Sequence, residues 1–493
     1  MNTQDTEEHQ ETATENAEAV GRPGKIARTV PSHTDHGWAW MVLIGACTNA
    51  FILSTAASSF SVMLAEFFIV FDAKRSMIVL IGSLQYGVSL MLGPAFTRLA
   101  GEYSYRVIVM TGGMLATGGM CLSYGAVELR TLIGAYGLLT GSAHFARVRI
   151  DFAALRYLEA FLERFHCNAN RLQEGAVNHF IRIGFGAGMI NSPSKVINGS
   201  YFNKKRSLAN GLVSISTAVG SLVGPLLCIK LLEMYTWHGT LIILAGIYLQ
   251  TVAASALFRP IPKAAKETQR KRGSSRSTQL TMPITDLIKL GVHCLSNVAM
   301  GVSAFIVMTF WVLYGMSQGF SFTRAAQMMS VLGGSSVLGG FIVAATADRQ
   351  WFPRHVVFVL ATLAISLFNF AFLFARDLWV YALCCVLCGC SVGVRTSMET
   401  TILVDLFGIQ HLSIVQPIYS LCFGLGAFVG PLTAGTLLDY TDNLKLVVIL
   451  CGSASAVGAA LLSGALYIDY GQKRTRREAP RHGASSTVET IFD

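Results

Sequence analysis

Charged residues are scarce in this chain. Only 13% of its 493 residues are Asp, Glu, Lys or Arg, whereas 52% are hydrophobic. A soluble domain usually carries about a quarter charged residues, so the composition excludes an ordinary soluble protein and predicts an integral membrane protein in contact with the lipid bilayer. The net charge is +10, but the cations lie between apolar runs and at the two ends. Because that pattern orients helices in a membrane, we expect no nucleic-acid partner.

Motifs that bind phosphate or metal ions, or that supply a catalytic nucleophile, are also missing. The chain has no P-loop, no His-Glu-x-x-His sequence and no nucleophile elbow. Cys384, Cys385, Cys388 and Cys390 lie together in an apolar run, but no second Cys or His pair is spaced to complete a zinc site. We therefore expect neither an enzyme nor a resident cofactor or metal ion.

Twelve apolar stretches approach the length of about 20 residues that a membrane-spanning helix needs, although the fourth is interrupted. A polar segment at residues 258–287 divides them into six and six. The sequence predicts an all-α membrane protein with a six-helix bundle at 37–257, a linker, and a second six-helix bundle at 288–469. The stretches lie at residues 38–65, 76–98, 106–127, 131–141, 207–230, 236–257, 288–315, 323–347, 354–375, 378–405, 412–438 and 445–469.

The linker and both ends of the chain are predicted to lie in the cytoplasm. Lys and Arg gather in loops of one parity, including residues 204–206, the linker and the tail at 470–493. Cytoplasmic loops carry such an excess of cations. Residues 1–36 have no apolar core of a signal peptide and no aromatic residue, so they predict a disordered N-terminal segment.

The two halves carry a faint repeat. GPAFTRLAGEYSYR follows the second apolar stretch and AATADRQWFPR follows the eighth, so that Arg98 and Arg349 occupy matching places. Related halves joined by a cytoplasmic linker resemble the architecture of major facilitator carriers. Those carriers bind their solute between the halves, near the middle of the bilayer.

Two stretches resemble signature motifs of the monocarboxylate transporter family. DHGWAW opens the first span and YFNKKRSLANG opens the fifth; the second matches the family pattern throughout, and the first departs from it at His36, where Gly is usual. Apart from one interrupting segment, the resemblance covers residues 35–257 and 287–469. The motif residues are Asp35, Gly37, Trp38, Trp40, Tyr201, Phe202, Lys204, Lys205, Arg206, Leu208, Ala209 and Gly211.

By their residue types, these motifs favour helix positioning over direct solute binding. Cations in loops usually orient helices, Trp suits the membrane interface, and Gly211 would allow two helices to approach closely. The resemblance implies a plasma-membrane carrier of small organic solutes, monocarboxylates above all. It also implies, for some family members, an ancillary single-span glycoprotein as partner.

Three charges that the family is known for are absent. The resemblance implies a lysine in the first span and an Asp–Arg pair in the eighth, which bind a carboxylate and carry the cotransported proton. Alignment from Trp38 puts the lysine position on Ser58, and alignment from Ser330 puts the pair on Ser336 and Gly340. We therefore predict that uptake depends only weakly on a proton gradient.

A different charged pair lies in the tenth span, where Arg395 and Glu399 share one helical face. Charges at that depth usually face the bundle interior, which makes both residues candidates for solute binding. The alternative is an ion pair that closes or braces the cytoplasmic half. Other polar and aromatic candidates are each more often contacts between helices; they are Asn49, Ser58, Tyr86, Asn191, Asn297, Ser336, Thr396 and Tyr419.

Three functions stay open at this point. The favoured one is a secondary-active or facilitative carrier of small, monocarboxylate-like solutes that works by alternating access, because the second motif is complete and polar residues line the predicted cavity. A carrier of neutral or aromatic amino acids is the second. The third is a carrier-like protein that no longer transports and acts as a sensor or scaffold, which the missing charges favour.

Residues 142–182 interrupt the fourth span and carry six arginines. Arginine is strongly disfavoured in the middle of a membrane, and joining Gly141 to Ile183 would give one continuous apolar helix. We therefore predict that the working protein lacks this segment. The alternative is an amphipathic helix that lies on the membrane surface.

Overall fold

A computed structural model describes most of the two predicted bundles, and every element in the described part is a helix. The N-terminal segment, most of the linker and the insertion predicted at 142–182 lie outside the described residues. The described ranges are 37–70, 74–124, 186–197, 201–202, 206–259, 284–346, 353–408 and 411–478.

The helices of the N-terminal half are interrupted at two places. Helices α2 and α3 meet at an angle of 46°, with Pro94 in the first turn of α3, where its missing N–H costs nothing. Helix α5 is continuous except at Thr236, whose φ of 59° is not helical, so it consists of two helices. The elements are α1 (Trp38–Val70), α2 (Arg75–Met91), α3 (Gly93–Glu102), α4 (Tyr105–Tyr124), a helical segment at 186–197, and α5 (Arg206–Ala256).

The C-terminal half follows the apolar stretches closely, since each helix begins and ends near the polar residues that bound its stretch. Phe372–Phe374 continue α8 as a short 3₁₀ turn. The elements are α6 (Ile284–Ser317), α7 (Phe322–Thr346), α8 (Arg354–Ala371), α9 (Leu378–Phe407), α10 (Leu412–Thr441) and α11 (Leu444–Glu478).

The all-α fold class is confirmed, whereas the count of twelve spans stays a prediction. Within the described ranges, eight helices are long and apolar enough to cross a membrane, or nine when the bent pair α2–α3 counts as one span. One of the eight is α5, which consists of two helical parts and is about twice as long as a single crossing needs. Most of the fourth span falls in residues that the structure does not describe.

The two sides of the molecule differ in how the halves meet. We call the side at which α1 begins the near side and the side at which α1 ends the far side. On the far side, one buried cluster joins both halves and includes Phe67 of α1, Trp311 of α6 and Leu438 of α10. On the near side, the described core consists of separate clusters, one within the N-terminal half around Val42 and two within the C-terminal half. Among the described residues, the buried core that the two halves share therefore lies on the far side.

Candidate solute-binding site

Arg395 lies at a junction of three helices in the C-terminal half. Its side chain extends from α9 and is only 3% exposed. Nη2 donates hydrogen bonds to Oδ1 of Asn297 on α6, at 2.9 Å, and to the hydroxyl of Tyr419 on α10, at 3.5 Å. Asn297 in turn donates from Nδ2 to the backbone carbonyl of Tyr419, at 2.8 Å. Three of the predicted site residues thus form one network on the near side.

The charge of Arg395 has no counter-ion in the described part of the chain. None of the described carboxylates lies within 4 Å of its guanidinium, and its Nε has no hydrogen-bond partner. Phe358 offers a ring face 5.6 Å from the guanidinium carbon. Arginine stays protonated in proteins, and a buried charge without a partner is costly. Glu399, half-buried one turn further along α9, does not form the ion pair that the sequence left open as the alternative.

Two predicted residues of α1 lie in contacts between helices of the N-terminal half. Asn49 is fully buried and donates to the hydroxyls of Ser194 and Ser255, at 3.3 and 3.4 Å. Ser58 is also fully buried and donates to the carbonyl of Ser54, at 3.0 Å. A Cβ at Gly224 of α5 would overlap the Ser58 hydroxyl. The position aligned with the family's lysine is therefore filled by the packing of α1 against α5.

The two positions aligned with the family's Asp–Arg pair are also packed against a neighbouring helix. Ser336 donates its hydroxyl to the carbonyl of Gly333 within α7, at 2.6 Å, and its backbone lies against Gly393 of α9. A Cβ at Gly340 would lie 3.2 Å from the Ser397 hydroxyl. Close contact between α7 and α9 thus replaces the two charged side chains.

Tyr86 belongs to a layer of aromatic rings between the two halves. Its ring centroid lies 6.2 Å from that of Phe60 on α1 and 5.2 Å from that of Phe305 on α6. Phe305 is 5.7 Å from Phe423 of α10, and the Tyr86 hydroxyl donates to the Ala57 carbonyl at 2.6 Å. Phe423 follows Tyr419 by one helical turn, so this aromatic layer lies on the far side of the Arg395 network.

Three further predicted residues make no described contact with the Arg395 network. Asn191 is half-buried in the helical segment 186–197. Thr396 is exposed and donates within α9 to the carbonyl of Val392, at 2.9 Å. Glu399 is the third. The arrangement as a whole offers one desolvated cation, neutral oxygen atoms around it, and a closed aromatic layer beyond it.

The Major Facilitator Superfamily model matches residues 180–394 and 347–491, which together make up more than half of the chain. The chain belongs to this superfamily. The carrier is also similar to monocarboxylate transporter 6 of Homo sapiens, with 25% identity over 90% of this chain and 83% of that protein. It is 22% identical to monocarboxylate transporter 3 of Gallus gallus over 92% of this chain and 83% of the relative. Monocarboxylate transporter 12 of Mus musculus is 24% identical over 92% and 91%.

Membership agrees with the prediction made from the two motifs, and it makes the chain a transmembrane carrier of small solutes, not an enzyme. In the structure the two motifs touch each other. The ring of Trp40 lies edge-on to that of Phe202, with 5.5 Å between centroids. Tyr201 donates its hydroxyl to the carbonyl of Arg259, at 3.1 Å, and Trp38 donates Nε1–H to the carbonyl of Leu257, at 2.9 Å.

This motif junction, formed by Trp38, Trp40, Tyr201, Phe202 and residues 257–259, fixes the start of α1 against the end of α5 on the near side. The Arg259 guanidinium also lies 3.6 Å above the Trp38 ring. Gly37 needs the freedom of glycine because its φ is +54°. The contacts support the structural interpretation of both motifs.

A Cβ at Gly211 would meet no described atom within 4 Å. A close approach of helices at this glycine stays a prediction, since most of the fourth span lies outside the described residues. Ala209 is buried, while the Leu208 side chain is 53% exposed. Asp35, Lys204 and Lys205 lie outside the described residues, and Arg206 opens α5.

Sequence reasoning missed two groups of polar residues. Asn369 is fully buried and donates to the hydroxyls of Ser303 and Ser455, at 3.0 and 3.3 Å. Its only sequence signal is an asparagine within an apolar stretch. Arg75 and Asp439 join the two halves on the far side. Both sit where charges commonly flank a membrane span, so their pattern carries no signal of a partner.

Proposed function

We propose that this carrier moves a small organic anion with a single carboxylate by alternating access, and that Arg395 binds the carboxylate. The observation that carries the proposal is the charge of Arg395. Within the side chains that the structure describes, it is the only buried Asp, Glu, Lys or Arg, and it has neutral hydrogen-bond partners. The relatives' names, which speak of monocarboxylates, favour the same class of solute.

A carboxylate would supply what the Arg395 network lacks. A guanidinium presents its N–H groups in a planar fork that matches the two oxygen atoms of a carboxylate. Asn297 and Tyr419 already hold Nη2 in place, so the cation is positioned before a solute binds. Nε, which has no partner in the described structure, would gain an acceptor. The gain is large because the charge is buried and otherwise lacks a counter-ion among the described residues.

The two sides of the molecule supply the access that such a site needs. With the far side closed by a core that both halves share and the near-side cores separate, solute would reach Arg395 from the near side. Rocking of one half against the other would then expose the site to the far side. A short apolar tail on the solute would meet the aromatic layer.

The location of the carrier is part of the same proposal. We place the near side in the cytoplasm because Lys and Arg are concentrated in the loops of that side. The plasma membrane as the host membrane and an ancillary single-span glycoprotein as partner rest on the family resemblance alone. The domain limits of 37–257 and 288–469 follow from the polar linker between them.

Uptake by the purified carrier in liposomes tests the proposal. Radiolabelled lactate and pyruvate should enter, and neutral aromatic amino acids and carnitine-like solutes should not. Arg395→Gln should raise the KM for the carboxylate at least about tenfold, equivalent to about 1.4 kcal/mol, with unchanged protein content. Arg354→Gln is the matched control, since Arg354 pairs with Asp405 in the same half.

Three outcomes would contradict the proposal. Uptake of neutral amino acids that is insensitive to Arg395→Gln would favour that class of solute. Absence of uptake for every solute would favour a sensor or scaffold. Recovery of the Arg395→Gln defect by adding Glu399→Gln would show that the two charges act only on each other in another conformation.

A further inference from the structure

Asp439, near the end of α10, binds the start of α2 across the boundary between the halves. Its Oδ1 accepts a hydrogen bond from the backbone N–H of Arg75, at 2.8 Å, and its Oδ2 accepts one from the N–H of Ser76, at 3.1 Å. The Arg75 guanidinium forms an ion pair with Asp442. All of these contacts lie on the far side, beyond the aromatic layer.

Helix α2 depends on the other half of the molecule for these bonds. The first N–H groups of a helix have no acceptor within the helix, and a side chain just before it usually supplies one. Here the preceding residue is Lys74, whose side chain makes no capping bond and has no acceptor atom to offer. The acceptor comes instead from Asp439, which is 363 residues from Ser76 in the sequence.

The two carboxylates do not suit the helix that carries them. The C-terminal end of a helix carries partial negative charge, which disfavours acidic side chains there. Asp442 also adopts φ 47° and ψ 27°, a left-handed conformation for which glycine is preferred. At the end of α9, by contrast, the residue with positive φ is a glycine, Gly408. The acidic residues of α10 are therefore explained by their partners on α2.

We propose that Asp439, assisted by Asp442, is a latch that holds the far side closed and sets the balance between the two access states. When α2 and α10 separate on the far side, the N–H groups of Arg75 and Ser76 lose their acceptor to water and the ion pair breaks. The inference rests on alternating access but not on the identity of the solute or on Arg395.

Amide hydrogen exchange of the full-length carrier in detergent, without solute, tests the latch. In Asp439→Ala, amides of the shared far-side core, such as residues 62–67 and 306–312, should exchange about tenfold faster, the change expected for a shift of about 1.4 kcal/mol in the closed-to-open equilibrium. Near-side amides at residues 39–46 and 244–258 should exchange more slowly, because opening the far side brings the near-side ends of the halves together.

Opposite changes on the two sides distinguish a latch from a local or general defect. Faster exchange confined to Arg75 and Ser76 would show a cap without a switching role, and faster exchange everywhere would show lost stability; either result overturns the proposal. Asp442→Gly provides a second variant that suits the left-handed position, and its effect should have the same direction at about threefold. Asp405→Asn, which removes an ion pair within one half, should leave both sides unchanged.

Discussion

The far side and the near side of the carrier are held together by different kinds of contact. On the far side, the two halves share one buried cluster, an aromatic layer and the bonds from Asp439 to α2. On the near side, the described core clusters each belong to one half. The motif junction also lies within a single half, because it joins the start of α1 to the end of α5.

This difference indicates how the molecule can change state without unfolding. Contacts within a half are close, as where α1 packs on α5 around Gly220 and Gly224. The described buried core that the halves share lies on one side, so it can open while each half moves as a rigid body. The described motif residues therefore stabilise a half, and the described residues that hold the halves together lie elsewhere in the chain.

The largest loss of stability is expected from a substitution that breaks the packing within one half. Ser58→Lys places an ammonium group where the native side chain is fully buried and where Gly224 leaves no space. A buried cation without a partner costs several kcal/mol, so we expect a loss of about 3 kcal/mol or more. The measurement is the yield of monodisperse protein together with its thermal unfolding.

Ser58→Ala is the matched control, since it removes the hydroxyl without adding volume and should cost about 1 kcal/mol or less. A well-folded Ser58→Lys carrier with proton-driven uptake would contradict the expectation. It would show that α1 and α5 leave room for the cation that the family carries at this position.

The sequence predicted the helices well because their length is set by the membrane. The predicted stretch 378–405 became Leu378–Phe407, and the predicted break between 230 and 236 matches the non-helical Thr236. Arg395, Asn297 and Tyr419 could be selected individually because polar residues in apolar stretches are rare. That they contact one another could not be predicted, because it depends on how three helices are rotated.

Other features were beyond prediction for physical reasons. The cap that Asp439 gives to α2 joins residues far apart in the chain, and neither end of the contact has an unusual sequence. Gly211 could not be assigned a neighbour from sequence, because glycine in a membrane helix usually marks a close approach but does not say which helix approaches. The alignment predicted that Ser58 and Ser336 line a cavity, whereas both lie in contacts between helices.

A smaller loss of stability is expected from a substitution in the motif junction on the near side. Trp38→Ala removes the hydrogen bond to Leu257 and the ring beneath Arg259. Because Trp38 is already 37% exposed, we expect a loss of about 1–2 kcal/mol. Trp38→Phe keeps a ring and should lose about half as much. Thermal unfolding measures both variants.

Trp379 supplies the control for this near-side prediction. It lies at the far-side start of α9 and is 84% exposed, so Trp379→Ala should leave the unfolding temperature unchanged. Equal losses for Trp38→Ala and Trp379→Ala would show that the motif junction adds nothing beyond the general affinity of Trp for a membrane interface.

The smallest effect is expected from the proton gradient, which should hardly change the rate of uptake. The family's charged positions are occupied by Ser58, Ser336 and Gly340, each held in contacts between helices, so no group at these positions can take up a proton. We therefore expect uptake of the carboxylate to change by less than about twofold when the outer solution is moved from about pH 7.5 to about pH 6. Uptake into liposomes with and without an uncoupler measures it.

A tenfold rise in uptake that the uncoupler abolishes would contradict this expectation. The proton would then have to bind in the C-terminal half, where His293 is buried on α6 and Glu399 lies one turn from Arg395. Glu399→Gln and His293→Gln would identify which of the two carries it. Uptake that stays insensitive to pH would leave Arg395 as a fixed charge that responds to the solute alone, because arginine does not titrate in this range.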